Sequence, residues 1–466
     1  MSAPERLSRA TWGALPPRCR PLVDPRELRP RIVHLGIGAF HRAHQAVCTE
    51  TAEARHSAGW GIAGVSQRSR AVVDALRPQD GLYSLTVRQP EGPLTRVVGS
   101  VVEVLHAADD GARLTELIAA PDVSVVTTTV TEKGYRRDPA GGGLALDDPQ
   151  VRSDLAGAPV PVTVIGQLAT GLRARRHTGA PLSVVPCDNM ADNGRGVRRL
   201  VLDFVAASGW RDRDRLLEWI DAAVAFPATV VDRIVPATTA ADRERAAAQL
   251  GLWDAGAVTG EPFLQWVLQD TFAADRPRWE SAGAQLVDDV TPYQVMKLRL
   301  LNGAHSLLAY LGLAAGCETV ADVMATAWGE PVVRAYAAEV APSLTPAAGL
   351  DVDTYVESLL TRFANPAVQH RIRQIATDGS LKIPERWLAP LRELRAAGAA
   401  TPVLTRALAA WARHTRDQDV DDPAADRLRQ AWRLPPTDAV RAVLGELGAP
   451  DLADDGEFVA EVAGKL

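Results

Sequence analysis

Lys297, Asn302 and His305 stand in the stretch Met296-Lys297-Leu298-Arg299-Leu300-Leu301-Asn302-Gly303-Ala304-His305-Ser306-Leu307-Leu308, three chemically capable side chains in a largely apolar, helix-like run. At about 100° per residue, Lys297 and His305 lie about 80° apart around a helix axis, and Asn302 about 140° from Lys297 on the same side. One arc carries all three, and Leu301 and Leu308 fall within it, so the arc is expected to face the protein interior. An unpaired polar group there costs about 1–3 kcal/mol, so a chain that keeps three of them has a use for them. A lysine can move a proton, an amide can hold a carbonyl oxygen, and an imidazole can orient either one. Taken singly, Lys297 reads as a snorkelling surface lysine and His305 as a satisfied core histidine. Their common arc favours function. A lysine acting as a general base needs its pKa lowered towards neutrality, which burial achieves by desolvating the charged form.

The elements that must position this helix change character along the chain. In the first half, short β-branched runs alternate with helical stretches: Ile32-Val33-His34-Leu35, Trp60 to Val65, Val123 to Val130 and Leu182-Ser183-Val184-Val185 read as strands. Near-continuous apolar strands separated by helices indicate a parallel sheet covered on both faces. The polar stretch Ala273 to Arg278 reads as a loop or linker, and Asp288-Asp289-Val290-Thr291-Pro292 as the start of a helix with Thr291 as a candidate cap. Beyond it helical periodicity dominates, for example around Thr319 to Met324. The expected fold is α/β: a Rossmann-like dinucleotide-binding domain over residues 1–288, then a mainly helical domain over 289–466. The Lys297 helix would open the second domain and face the cleft between the two, a common kind of ligand site.

Gly36-Ile37-Gly38-Ala39-Phe40-His41 follows the first strand and leads into a helix expected from about His41. Two glycines suit a tight strand-to-helix turn whose amides approach a pyrophosphate. His41 stands where the usual fingerprint has its third glycine, and two glycines alone also fit a plain strand–helix turn, but the position directly after an apolar strand favours cofactor binding by Gly36, Ile37, Gly38, Ala39 and Phe40. The second strand runs into Ser66-Gln67-Arg68-Ser69-Arg70, with no carboxylate to hold the ribose of NAD. Arg68 is therefore a candidate cofactor contact and NADP stays open beside NAD; Arg68 and Arg70 read equally well as solvated loop charges. His41 and His44 suggest a metal pair less than they suggest packing or capping, and no metal site is expected. Asp188-Asn189, after the fourth strand, is either a ligand-binding strand end or a turn or helix cap, and Glu132, just past the third strand, is either a site acid or a solvated loop acid. Asp232-Arg233 reads either as site residues or as a structural ion pair.

The chain has 466 residues, 47% of them hydrophobic, enough for a sizeable core in two or three domains. A formal net charge of −6 argues against nucleic acid or anionic membranes as partners. No run of about 18 apolar residues reads as a membrane helix, and Met1 to Arg6 lacks a signal-peptide core, so a cytoplasmic location is expected. Cys19, Cys48, Cys187 and Cys317 include no CxxC pair and read as small buried thiols.

These motifs also resemble a known family. The string from Gly36 to Gln45 (GIGAFHRAHQ), Thr131-Glu132-Lys133-Gly134-Tyr135, Cys187-Asp188-Asn189, Val231-Asp232-Arg233-Ile234-Val235-Pro236, the Lys297–Asn302–His305 helix and Asp378-Gly379-Ser380-Leu381-Lys382 occur in one order. Together they look like the polyol-specific long-chain dehydrogenases, the mannitol dehydrogenase family, from about residue 30 to 390. The resemblance implies metal-independent hydride transfer between a secondary alcohol and NAD(P). Carried over by motif position, Lys297 would be the general acid–base, and Asn189 and Asn302 would hold the reacting oxygen. His305 would orient substrate or lysine, Glu132 would pass protons to solvent, and Asp232 and Lys382 would line the site. Within the family, Arg31 to Gly36, Thr131 to Tyr135, Val231 to Ala237 and His370-Arg371 resemble the fructuronate reductase (mannonate oxidoreductase) branch more than the mannitol branch. A hexuronate carries a carboxylate, so Lys133, Arg371 and Arg373 are candidate counter-cations, each also readable as a solvated charge. The sequence departs from that branch around Ile372-Arg373-Gln374 and at Thr377. The expected partner is a small sugar alcohol or hexuronate, and the expected state is a monomer or weak homo-oligomer.

Overall fold

The structure, a computed structural model, describes residues 5–138, 141–345 and 350–466; the side chain of Glu132 lies outside the described part. The chain forms two compact units, Met1–Val290 and Thr291–Leu466.

In the first unit the apolar runs become a six-stranded sheet. Its strands are β1 Arg29–Leu35, β2 Trp60–Ser66, β3 Val101–His106, β4 Val125–Thr128, β5 Leu182–Pro186 and β6 Val224–Ala225. They lie in the order β3-β2-β1-β4-β5-β6, every pairing parallel. All residues of β2, β4 and β5 are buried, because alternate side chains feed two separate cores. Val33, Leu35, Val126 and Val184 enter one core; Ile32, Val125 and Val185 enter the other. The strand order reverses between β1 and β4, the place where such sheets bind dinucleotides, outside the strands' carboxyl ends.

The structure departs from the sequence expectations at several points. The third strand is Val125–Thr128, shorter than the apolar run around it. The helix after the glycine turn begins at Ala39 and stops at Ala43; His44, at φ −127° and ψ −89°, breaks it before a second helix runs from Gln45 to His56. The strands β3 and β6 were not anticipated. Nor were two small sheets: Tyr83–Val87 between Leu94–Val98 and Val258–Gly260, and Gln265–Gln269 between Thr229–Asp232 and Gln285–Val287. These strands are short and interleave polar residues, so their pattern resembles loop sequence.

The helix Gln45–His56 buries Glu50 completely. Its carboxylate accepts from the amides of Gly99 (2.8 Å) and Leu22 (3.3 Å), with the Arg96 guanidinium at 3.5 Å. Burial outweighs these partners and pushes its pKa up to about 7. The folded state thus holds the proton more tightly than the unfolded chain. Stability falls as pH rises from the ordinary carboxylate range through about 7, by up to about 3 kcal/mol. Glu50→Gln is expected to flatten the pH dependence of Tm between pH 5 and 8; parallel curves for the two proteins would refute this reading.

Among its described residues the second unit forms helices and one isolated bridge, between Thr319 and Arg371. At its centre the helix Gly303–Ala314 is buried from Gly303 to Gly312. A helix apolar all round can be stable only inside a core, and this one packs among Val323, Tyr336, Leu359, Ile372, Trp387 and Leu408.

Candidate active site

The glycine turn of the first unit is held from several sides. Gly36 follows β1 at φ +110°, and a Cβ there would stand 2.5 Å from the carbonyl oxygen of Thr129; only glycine fits. The amides of Gly36 and Ile37 both donate to Val65 O, at 2.8 and 3.0 Å. Ile37 fills the space at Gly64, where a Cβ would meet its Cδ1 at 2.3 Å. Gly38 differs: it is exposed, and the nearest atom to a Cβ there is Gly36 O at 3.8 Å. The protein does not demand its bareness, whereas a pyrophosphate approaching the backbone does. Ala39 and Phe40 open the helix, where the leading amides lack intrahelical acceptors. The turn therefore fits the phosphates of a dinucleotide.

Beneath it, the rings of His34 and His41 stack with centroids 3.3 Å apart. His34 lies 2.7 Å from Thr127 Oγ1 through Nδ1, and 2.9 Å from Thr129 Oγ1 and 3.1 Å from Gly36 O through Nε2. Burial pushes the His34 pKa down to about 3 and that of His41 well below its usual value, so both rings are neutral. His44 stacks on Phe40 and lies 2.8 Å from Gln265 O. Both His41 and His44 thus pack the turn. Two buried arginines pin the short helix: Arg42, given no role by the sequence reading, donates to Gly256 O, and Arg233 donates to Ala43 O and to Glu261 O. Arg233 is therefore engaged with backbone carbonyls, not with Asp232, which sits buried at the end of its strand. Past β2, Arg70 pairs with Asp109 at 2.6 Å, while Arg68 is exposed and pairs with nothing among the described residues.

At the ends of β4 and β5, the hydroxyl of Tyr135 lies 2.5 Å from Thr128 Oγ1 and donates to Asp188 at 2.6 Å. Asp188 also accepts from the Met190 amide (3.0 Å). It shapes the turn on which Asn189 is exposed. Asn193, buried and missed in the sequence, clamps two strand ends: its amide donates to Pro186 O and Thr229 O, and its oxygen accepts from the Thr229 amide. Glu132 opens the turn Glu132–Tyr135.

In the second unit the helix entering at Thr291 is not α-helical throughout. Thr291–Met296 is α, Lys297–Asn302 is one π-helical turn, and Gly303–Ala314 is α again. The Gly303 amide reaches back five residues to Leu298 O. This corrects the arc drawn at 100° per residue. Residues four apart align in an α-helix; with bonds to i−5, residues five apart do. Lys297 and Asn302 therefore share a face instead of lying about 140° apart, and His305, three residues on in α-helix, follows about 60° away. Lys297 and Asn302 are half-buried and His305 is buried.

The His305 ring lies 4.6 Å from that of Phe363 and edge-on to His370 at 5.0 Å, and its Nε2 makes no hydrogen bond among the described residues. Burial, reinforced by His370, Arg362, Arg386 and Lys297, holds it neutral. Burial and Arg362 likewise push His370 down to about 4. Arg362, buried on the helix Val352–Phe363, is a cation whose charge bears on both rings. The sequence reading missed it and singled out Arg371 and Arg373, which are exposed. Its one signal was a charge set among the apolar positions of that helix. Lys382 is half-buried, and its ammonium donates to Thr377 O (2.6 Å) and Ile375 O (3.3 Å), closing the helix Ile372–Ile375.

A cavity of about 330 Å³ lined by Glu53, Trp60, Asp275 and Arg278 lies beside the start of β2, away from the glycine turn. Among the described residues, no group of three or more His, Cys, Asp or Glu is gathered to hold a metal, and no helix is long and apolar enough to cross a membrane. The four cysteines are free, three of them buried.

Comparison with known proteins places this arrangement. Residues 30–281 match the model of the mannitol dehydrogenase Rossmann domain, and residues 289–466 that of the mannitol dehydrogenase C-terminal domain. The chain is 39% identical to D-mannonate oxidoreductase of Escherichia coli (strain K12) over 462 residues, 96% of this chain and 94% of that one. It is 37% identical to mannitol 2-dehydrogenase of Pyrenophora tritici-repentis (strain Pt-1C-BFP), covering 92% of this chain and 78% of the relative. Among solved structures, the Pseudomonas fluorescens mannitol 2-dehydrogenase ternary complex with NAD and D-mannitol superposes with a TM-score of 0.85 at 34% identity, covering 99% and 96% of the two chains. With a sheet in the dinucleotide-binding order, a glycine turn that fits the phosphates and both family domains matched in sequence, the chain belongs to the mannitol dehydrogenase family and is an NAD-dependent oxidoreductase acting on CH–OH groups.

Proposed function

We propose that this protein interconverts D-mannonate and D-fructuronate. The observation that carries the reading is the 39% identity to a D-mannonate oxidoreductase along nearly the whole of both chains. The cations around His305 support it: Arg362 and Arg386 both act on that ring, and a hexuronate brings a carboxylate for such groups. The Rossmann unit carries the cofactor, through Gly36 to Phe40 and Arg68, and the helical unit carries proton transfer. The hydride for the ketone carbon would come from nicotinamide held by the Rossmann unit, and would return to it in oxidation. Lys297 gives its proton to the carbonyl oxygen as the alcohol forms and takes one back in the reverse direction. The side-chain amides of Asn302 and Asn189 donate to that oxygen as charge grows on it. Neutral His305 offers one ring N–H and one lone pair to orient substrate or lysine. Glu132 passes protons to solvent, and Asp232, Arg371, Arg373 and Lys382 contact the substrate.

A second reading, mannitol 2-dehydrogenase, has its own support in the structural likeness to an enzyme solved with NAD and D-mannitol. A panel of fructuronate, tagaturonate and fructose, each with NADH and NADPH and followed by nicotinamide absorbance, separates the two. Fructuronate is expected to have the highest kcat/KM, and a preference for fructose would give the second reading. The same panel tests the cofactor contact. Arg68→Ala is expected to raise the KM for NADPH several-fold more than that for NADH, since a 2′-phosphate gains from an unpaired guanidinium. Equal shifts would show Arg68 to be a solvated charge.

A further inference from the structure

The π turn needs a partner to hold it, because a single turn with bonds to i−5 is rare inside an α-helix and frequent at functional sites. Two side chains from elsewhere in the helical unit donate to its backbone, and a third to the residue that follows it. The Tyr336 hydroxyl donates to Arg299 O at 2.7 Å. Arg386 donates to Asn302 O at 3.2 Å and to Ser306 Oγ at 2.8 Å. The Trp387 indole donates to Gly303 O at 3.1 Å. Arg386 and Trp387 themselves lie on a second π-helical turn, Pro384–Leu388.

The fit around Tyr336 is the closest. Its side chain is fully buried on the helix Gly329–Val340, and a Cβ on Gly303 would stand 1.9 Å from its hydroxyl oxygen. The glycine that ends the π turn is thus the residue that lets the hydroxyl in. Burial keeps that hydroxyl protonated, so it acts as a donor to the carbonyl.

We propose that Tyr336 is a positioning residue for catalysis: by holding the Arg299 carbonyl inside the π turn, it keeps Lys297 and Asn302 aligned on one face of their helix. This rests on the proton-transfer role given to Lys297 above. Tyr336 touches no reacting atom. Its effect runs through the helical register, and misplacement of catalytic groups by about 1 Å is enough to cost about 10²-fold in rate.

The test compares Tyr336→Phe with Thr405→Val, which also removes one buried hydroxyl donating to a backbone carbonyl (Thr401 O, 2.7 Å) but lies on another helix. Both are measured for Tm, for kcat and KM with ketone and NADH, and for the pH profile of kcat. Tyr336→Phe is expected to lose about 10- to 100-fold in kcat, keep its KM for NADH, and shift the limb of the profile that Lys297→Ala abolishes. Thr405→Val is expected to change Tm alone. An unchanged kcat and pH profile in Tyr336→Phe, or the same changes in both variants, overturns the proposal. Should Tyr336→Phe fail to fold, Gly303→Ala, which displaces the hydroxyl, must give the same kinetic signature or the proposal falls. If Lys297→Ala itself keeps its turnover, it is the lysine's role that fails, and the kcat of Tyr336→Phe still reports on the turn.

Discussion

Lys297→Ala is expected to lower kcat for ketone reduction by about 10²–10⁴, the usual contribution of a positioned general acid. The loss should fall on kcat and kcat/KM together, because the proton moves only in the transition state. The cofactor's dissociation constant should change little, since the substitution leaves the glycine turn intact. A limb of the rate–pH profile should vanish with the side chain. His305 cannot supply that limb, because burial and its cationic neighbours hold its pKa well below the ordinary histidine range. A variant with near-normal turnover would remove Lys297 from the mechanism.

Asn302→Ala is expected to cost about 10²–10³ in kcat, the penalty for losing one preorganised donor to a developing oxyanion. This substitution is unusually clean. The contact between Asn302 and Arg386 is made by the backbone carbonyl, which alanine keeps, so the π turn should survive and only the amide is lost. The two residues act on one oxygen, so the double variant should lose much less than the product of the single losses. Additive losses, or a full loss carried by KM alone, would mean that Asn302 binds substrate without stabilising the transition state.

The site was legible in the sequence where chemistry and pattern coincide. Gly36 and Gly38 follow a continuous apolar run, and both a left-handed turn and an open approach require glycine at those positions. Lys297, Asn302 and His305 drew notice because polar groups on a buried arc are costly. The details failed where a residue's use depends on distant backbone. Arg233 reads as a partner for its neighbour Asp232, yet it donates to carbonyls of Ala43 and Glu261, far off in the chain. Lys382 matches a family position that lines the site, and only the structure shows its ammonium donating to the last carbonyls of a short helix. Arg371 and Arg373 are exposed, while the charge of the buried Arg362 bears on both His305 and His370.

By itself, the sequence determined the two structural classes of the chain, the glycine turn, and the identity of the residues able to move a proton and hold an oxygen. Those follow from local quantities: side-chain period, β-branched runs, and functional groups that nothing else can replace. Only the tertiary structure decided how Lys297 and Asn302 are aligned. The hydrogen-bond register of six residues is set by Tyr336, 37 residues from Arg299, and by Arg386, 84 residues from Asn302. No window of sequence around the helix contains them. An α-helical and a π-helical turn can be written with the same residues, and the choice between them rests on which distant donors reach the carbonyls once the core has packed.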